Sequence, residues 1–130
     1  MRTRTLIPAL LLGLVACSAP ADSDQPALET PEVADAITIN LADFMIDPSE
    51  IEAVGPTVTL EVTSEGPTPH NLTVRDAGGE VLMATQDLSA GDTDTIGAEL
   101  EHGEYTIFCS FAGHESLGMS GTLTVTAGGR

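Results

Sequence analysis

Gly103-Glu104-Tyr105-Thr106-Ile107-Phe108-Cys109-Ser110-Phe111-Ala112-Gly113-His114-Glu115-Ser116-Leu117-Gly118-Met119 reads as a strand, a tight loop and the entry to a second strand. Tyr105, Ile107 and Cys109 alternate with Thr106, Phe108 and Ser110, the two-residue period of a half-buried strand. That strand delivers the Cys109 side chain to one face at its end. A loop containing Gly113 and Gly118 follows, carrying His114 and Met119, and the strand pattern resumes over Gly121-Thr122-Leu123-Thr124-Val125-Thr126. One loop therefore presents a soft thiolate, an imidazole and a thioether. Cys109 by itself would read as an inert buried thiol. Its spacing to His114 and Met119 makes it a candidate ligand.

Upstream, His70 offers a second imidazole. It stands at the end of the turn Gly66-Pro67-Thr68-Pro69, where the chain feeds the strand Asn71-Leu72-Thr73-Val74. Two imidazoles, one thiolate and a weak thioether form a donor set that selects copper and suits one-electron transfer. His70, Cys109, His114 and Met119 are accordingly the candidate metal ligands. The third histidine, His102, lies in a turn between Glu101 and Gly103 and reads as a solvated side chain. Met45 and Met83 read as core, with the rim of the site as the alternative for Met45.

The order His, long gap, Cys-x4-His-x4-Met resembles the ligand order of the cupredoxins, the type 1 blue copper proteins. The loop spacing is most similar to the auracyanin, azurin and rusticyanin branch, and the resemblance runs from Ala36 to Thr126. It implies an all-β, cupredoxin-like Greek-key β-sandwich of about seven or eight strands. It also implies one type 1 copper per chain on His70, Cys109, His114 and, axially, Met119, with the Pro69 carbonyl as a further weak contact. By the same resemblance, Asn71 ties the two ligand loops together. Ala112 stands where many relatives have Pro. His114 is expected at the surface, ringed by Ala112, Gly113 and Leu117.

Away from this loop, the length suits one small domain. Residues 1–16 read as a leader. Arg2 and Arg4 precede an apolar run, Leu6 to Val15, that is too short to span a membrane. The run ends in Leu14-Val15-Ala16-Cys17, which resembles the bacterial lipobox, so Cys17 is expected to be lipidated after cleavage. A lipid anchor and a metal ligand then use both cysteines of the chain, and no disulfide is available. Residues 17–35 combine the lipidated cysteine with an acidic, Pro- and Ala-rich tether. Its span is at most about 55–60 Å at ~3.1–3.3 Å per residue.

Residues 36–130 form the expected domain. Ala36 to Ile46 reads as a strand, with Ile37, Ile39 and Leu41 alternating, and Asp47-Pro48 breaks it. Thr57 to Thr63 is the clearest strand, with Val58, Leu60 and Val62 on one face. Weaker strand patterns cover Val81–Ala84 and Thr95–Leu100, and short turns separate them.

Charge is the other signal. The chain has 4 Lys plus Arg against 20 Asp plus Glu, a net charge of −16, and its four cations are all arginine. Loss of the leader removes Arg2 and Arg4 and no acid, giving −18. Such a chain repels nucleic acid and anionic membrane surfaces. It would attract a basic redox partner, and Glu115, directly after His114, is the acid expected nearest the contact. An acid-rich surface also suits high salt, and the sequence leaves both readings open.

Together these features predict an exported, lipid-anchored monomer facing the periplasm or cell exterior. It would shuttle single electrons between redox proteins, such as a basic cytochrome, a terminal oxidase or a reductase, and would not be an enzyme. The alternative is a copper carrier or buffer built on the same ligands.

Overall fold

Thr57-Val58-Thr59-Leu60-Glu61-Val62-Thr63-Ser64 shows how this sequence makes its sheets. Val58, Leu60 and Val62 are buried while Thr57 and Glu61 are exposed, so one pleated face joins the core and the other meets water. The computed structural model describes residues 35–128. The leader 1–16, Cys17 and the tether up to residue 34 lie outside the described residues.

Nine strands form two sheets, with no α-helix among the described residues. They are β1 (Ile37–Ala42), β2 (Met45–Asp47), β3 (Glu50–Val54), β4 (Thr57–Ser64), β5 (Thr73–Arg75), β6 (Val81–Ala84), β7 (Thr93–Glu99), β8 (Gly103–Phe108) and β9 (Ser120–Thr126). One sheet has the order β2-β1-β4-β7, the other β3-β9-β8-β5-β6. β1 runs parallel to β4, and β3 parallel to β9; the remaining pairs are antiparallel. The inner faces meet through Ile39, Leu41, Val58, Leu60 and Val62 on one side and Leu72, Val74, Ile107, Leu123 and Val125 on the other. Each such side chain contributes about 1.5–3 kcal/mol by leaving water.

The strand count is nine because the stretch read as one strand, Ala36 to Ile46, is two, and because β3 was not read as a strand. Asp43 and Phe44 form a two-residue turn between β1 and β2, with Ala42 paired to Met45. Phe44 holds φ +60°, the left-handed region that glycine or asparagine normally fills. Asp43 is an ordinary turn residue, but Phe44 gives no sign of the left-handed position it fills, so the sequence pattern hides the turn. Met45, read as core, is 54 % exposed because Ile46 takes the inward place of β2. Met83 is buried as expected.

After β2 the chain crosses to the other sheet at Ser49. There the backbone passes so close to β9 that a Cβ on Gly121 would stand 2.1 Å from the Ser49 carbonyl oxygen. Glycine is required at that position. The Thr122 N–H donates to the same oxygen at 2.7 Å. This crossing fixes the end of β9 that leads out of the Met119 loop.

Candidate metal centre

Two connections at one end of the sandwich supply the candidate ligands. The first joins β8 to β9. Phe108 pairs with Ser120, and just beyond them the Cys109 N–H donates to the Met119 carbonyl at 3.1 Å. The loop is thus closed at its neck. Within it, the Met119 and Leu117 N–H groups both donate to the His114 carbonyl at 3.1 Å, and Glu115–Leu117 forms one 3-10 turn ended by Gly118 at φ +114°. The second connection leads from β4 to β5. His70 exchanges two backbone hydrogen bonds with Leu88, at 3.0 and 2.7 Å, which pins its Cα.

These connections bring three predicted ligands together. One donor atom each from His70, Cys109 and His114 lies within 4.8 Å of the others. The His70 and His114 Nδ1 atoms are 3.3 Å apart, and Cys109 Sγ is 3.5 Å from His114 Nδ1. Donors held about 2.0 Å (N) and 2.3 Å (S) from a common centre, as in first-row metal sites, would be separated by such distances. His70 and Cys109 are fully buried and His114 is partly exposed. Met119 is fully buried between its hydrogen bonds to Cys109 and His114. His102 is exposed, consistent with a solvated side chain.

Neighbouring side chains lock the two connections to each other. Asn71 Oδ1 accepts from the Ser110 N–H at 2.8 Å, and Asn71 Nδ2 donates to Ser110 Oγ at 2.8 Å and to Asp87 at 3.2 Å. The expected tie between the ligand loops is therefore present. Arg75 makes a second tie that the sequence did not reveal. A bulge between Val74 and Arg75 aims its guanidinium over the Phe108 ring, 4.2 Å from the centroid. It also makes a two-pronged ion pair with Glu115, with Nη1 to Oε2 at 3.2 Å. Glu115, the acid expected nearest a partner contact, is therefore already paired within the chain. Arg75, the only Lys or Arg among the described residues, already matches its charge.

A third connection, the Asp43–Phe44 turn, was also missed. His70 Nε2 lies 3.1 Å from Asp43 Oδ1, and the Thr68 hydroxyl donates to that oxygen at 2.6 Å. The Thr68 hydroxyl, followed by the His70 ring, holds the Asp43 carboxyl below its ordinary pKa, outweighing the opposing effect of burial. The Phe44 ring meets His114 edge-on at 5.3 Å, and Phe111 tilts against the same ring at 5.6 Å. Three of the four aromatic residues in the chain, Phe44, Phe108 and Phe111, therefore stand at this end. Exposed Ala112, Gly113 and Leu117 adjoin His114 in its own loop, as expected.

A cupredoxin-like domain model matches residues 7–125, nearly the whole sequence. The chain belongs to the cupredoxin-like family. Solved structures place this cupredoxin beside the auracyanins in fold. A dithionite-reduced auracyanin from the photosynthetic bacterium Roseiflexus castenholzii superposes with a TM-score of 0.64 at 20 % identity, covering 70 % of this chain and 96 % of that one. Auracyanin B gives 0.64 at 19 %, covering 70 % and 88 %. A purple cupredoxin from Nitrosopumilus maritimus gives 0.55 at 24 %, covering 69 % and 99 %. No match was found among curated protein sequences. The two imidazoles and one thiol that converge here are consistent with copper.

Proposed function

We propose that this cupredoxin is a blue copper electron carrier, holding one copper on His70, Cys109 and His114 with Met119 as a weak axial donor. The observation that carries the reading is the inward convergence of two Nδ1 atoms and one thiol at 3.3 and 3.5 Å. Bound copper supplies a one-electron Cu(II)/Cu(I) couple. The chain's part is to hold both imidazoles and the thiolate in one arrangement for either oxidation state, since neck, turn and backbone pairing fix all three. Full burial of His70 and Cys109 keeps water and small substrates from that side, which favours electron transfer over catalysis at the metal. The same burial favours retention of the ion over the delivery expected of a copper carrier. Addition of Cu(II) to the metal-free protein should give an intense visible band with one equivalent bound. A colourless complex would reject the reading.

The setting proposed for this activity is the outer face of a cell membrane, with Cys17 as the lipid anchor and residues 18–35 as the tether. Support comes from the leader and the lipobox-like Leu14-Val15-Ala16-Cys17. Wild-type protein should fractionate with membranes, and mass spectrometry of the mature N-terminus should find acylated Cys17. A free Cys17, or an N-terminus further downstream, would rule the anchor out. The partner proposed is a positively charged redox protein such as a basic cytochrome, supported by the net charge of −16. Electron transfer to such a cytochrome should slow as salt shortens the screening length to about 8–10 Å. A rate that is flat or rises with salt would instead favour salt adaptation as the origin of the acids.

A further inference from the structure

The Asp43–Phe44 turn reaches the metal centre from a third direction and gives one residue to each imidazole: Asp43 to His70 and Phe44 to His114. Three features show that the Asp43–His70 contact is built into the fold. The Thr68 hydroxyl donates to Asp43 Oδ1 at 2.6 Å and lies 3.2 Å from His70 Nε2, so the three groups close a triangle. With its own hydrogen committed to Asp43, the Thr68 oxygen can only accept from the ring. Gly66 makes room for the triangle: a Cβ there would stand 2.8 Å from both Asp43 Oδ1 and His70 Nε2. The turn itself is held with Phe44 at φ +60°, a left-handed conformation that a side-chain-bearing residue adopts only at a cost. The Gly118 backbone packs beneath it, where a Cβ would be 3.5 Å from the Phe44 carbonyl oxygen.

These acceptors decide where the His70 proton sits. Asp43 Oδ1 and Thr68 Oγ1 both face Nε2, so Nε2 carries the hydrogen and the Nδ1 lone pair points toward Cys109 and His114. A carboxylate behind a ligating imidazole also makes the ring more electron-rich. Its negative charge favours the more highly charged oxidation state of a metal on the other side.

We propose that Asp43 is a positioning residue of the metal centre: its carboxylate accepts the His70 Nε2–H bond, fixes the ligating tautomer and favours Cu(II) over Cu(I). This rests on the copper reading above. No proton moves in the redox step; one electron enters or leaves the centre while the Nε2–H bond to Asp43 persists.

The test uses the full-length chain as wild type, Asp43→Asn, Gly66→Ala and Glu65→Gln, the last removing an exposed acid beside the same turn. Each protein is loaded with Cu(II). Its spectrum is recorded, its reduction potential measured by voltammetry and its Cu(II) affinity measured by chelator competition. Asp43→Asn should keep the visible band, lose about 10–100-fold in Cu(II) affinity and lose less in Cu(I) affinity. Its potential should rise by about 59 mV for each tenfold by which the Cu(II) loss exceeds the Cu(I) loss. Gly66→Ala, which removes no charge, should shift the potential in the same direction by displacing the triangle. Glu65→Gln should leave both quantities unchanged. Nitrogen NMR of the metal-free wild type should show His70 protonated at Nε2.

A blue Asp43→Asn protein with unchanged potential and affinity would overturn the role of Asp43 and leave the copper reading standing. So would a Glu65→Gln shift of equal size, which would mean general surface charge, or a His70 ring protonated at Nδ1 in the metal-free protein. A wild type that binds no copper would sink the copper reading and this proposal together.

Discussion

His70 and His114 offer the same Nδ1 donor from opposite surroundings. His70 is fully buried, pinned by backbone bonds to Leu88 and by Asp43 behind its ring. His114 is partly exposed and is held by the edges and faces of Phe44 and Phe111. One side of the centre is fixed by directional polar bonds and closed to solvent; the other is fixed by apolar contact and adjoins the exposed Ala112, Gly113 and Leu117. Polar bonds set a geometry and a charge environment, whereas apolar contacts leave a face that another protein can cover without stranding polar groups. Under the copper reading proposed above, the closed side would set the potential and the open side would pass the electron.

Removing the thiolate would erase the comparison, since both imidazoles depend on the shared centre. Cys109→Ser should lose the intense visible band entirely, and a variant that remains intensely blue would refute the ligand assignment. The contrast itself is tested by cutting back each ring. His114→Gly should leave a gap open to solvent, so that imidazole added to the buffer restores the colour. His70→Gly should leave a closed gap behind Asp43 and Thr68 that added imidazole does not restore. Equal rescue of both variants, followed by absorbance, would remove the distinction between an open and a closed side.

A smaller change is expected from Met119→Leu. The site should stay coloured while its potential rises, because Cu(II) loses more donation than Cu(I) when a weak donor goes. Voltammetry showing an unchanged or lowered potential would mean that Met119 only packs. The smallest effect concerns the tether of the His114 loop. Arg75→Ala should cost the metal-free protein about 1 kcal/mol, since the ion pair with Glu115 is partly exposed and the Phe108 contact adds little more. Glu115→Gln should cost less, and the double variant should cost less than the sum of the two. Thermal melts that are simply additive would mean that the two residues act apart.

The loop carrying the candidate ligands Cys109, His114 and Met119 was legible because its chemistry is local. Cys109, His114 and Met119 follow one another within a single connection. His70 was legible from its turn, and Asn71 from its place beside His70. What stayed hidden depends on partners distant in sequence. Asp43 meets His70 across 27 residues, and Arg75 meets Glu115 across 40. The Asp43–Phe44 turn was missed because Phe44 occupies a left-handed position without any residue that advertises one. The Arg75 partner of Glu115 was hidden for a related reason: an ion pair between strand and loop leaves no trace in local composition. The sandwich was readable from alternation, while the parallel pairings β1–β4 and β3–β9 are long-range choices that no local pattern states.

The closure of the β8–β9 connection bears on how such a protein can diversify. Phe108 pairs with Ser120, and the Cys109 N–H bonds the Met119 carbonyl, so the segment enters and leaves the sandwich through one narrow gate. A segment gated in this way can be lengthened, shortened or exchanged for a foreign one while the strands beneath keep their register. Three of the four candidate ligands would travel with it; His70, Asp43 and Thr68 would stay behind. Descent with loop exchange would therefore vary the spacing and the exposed face freely, while every new loop inherited the same buried imidazole and the same carboxylate behind it.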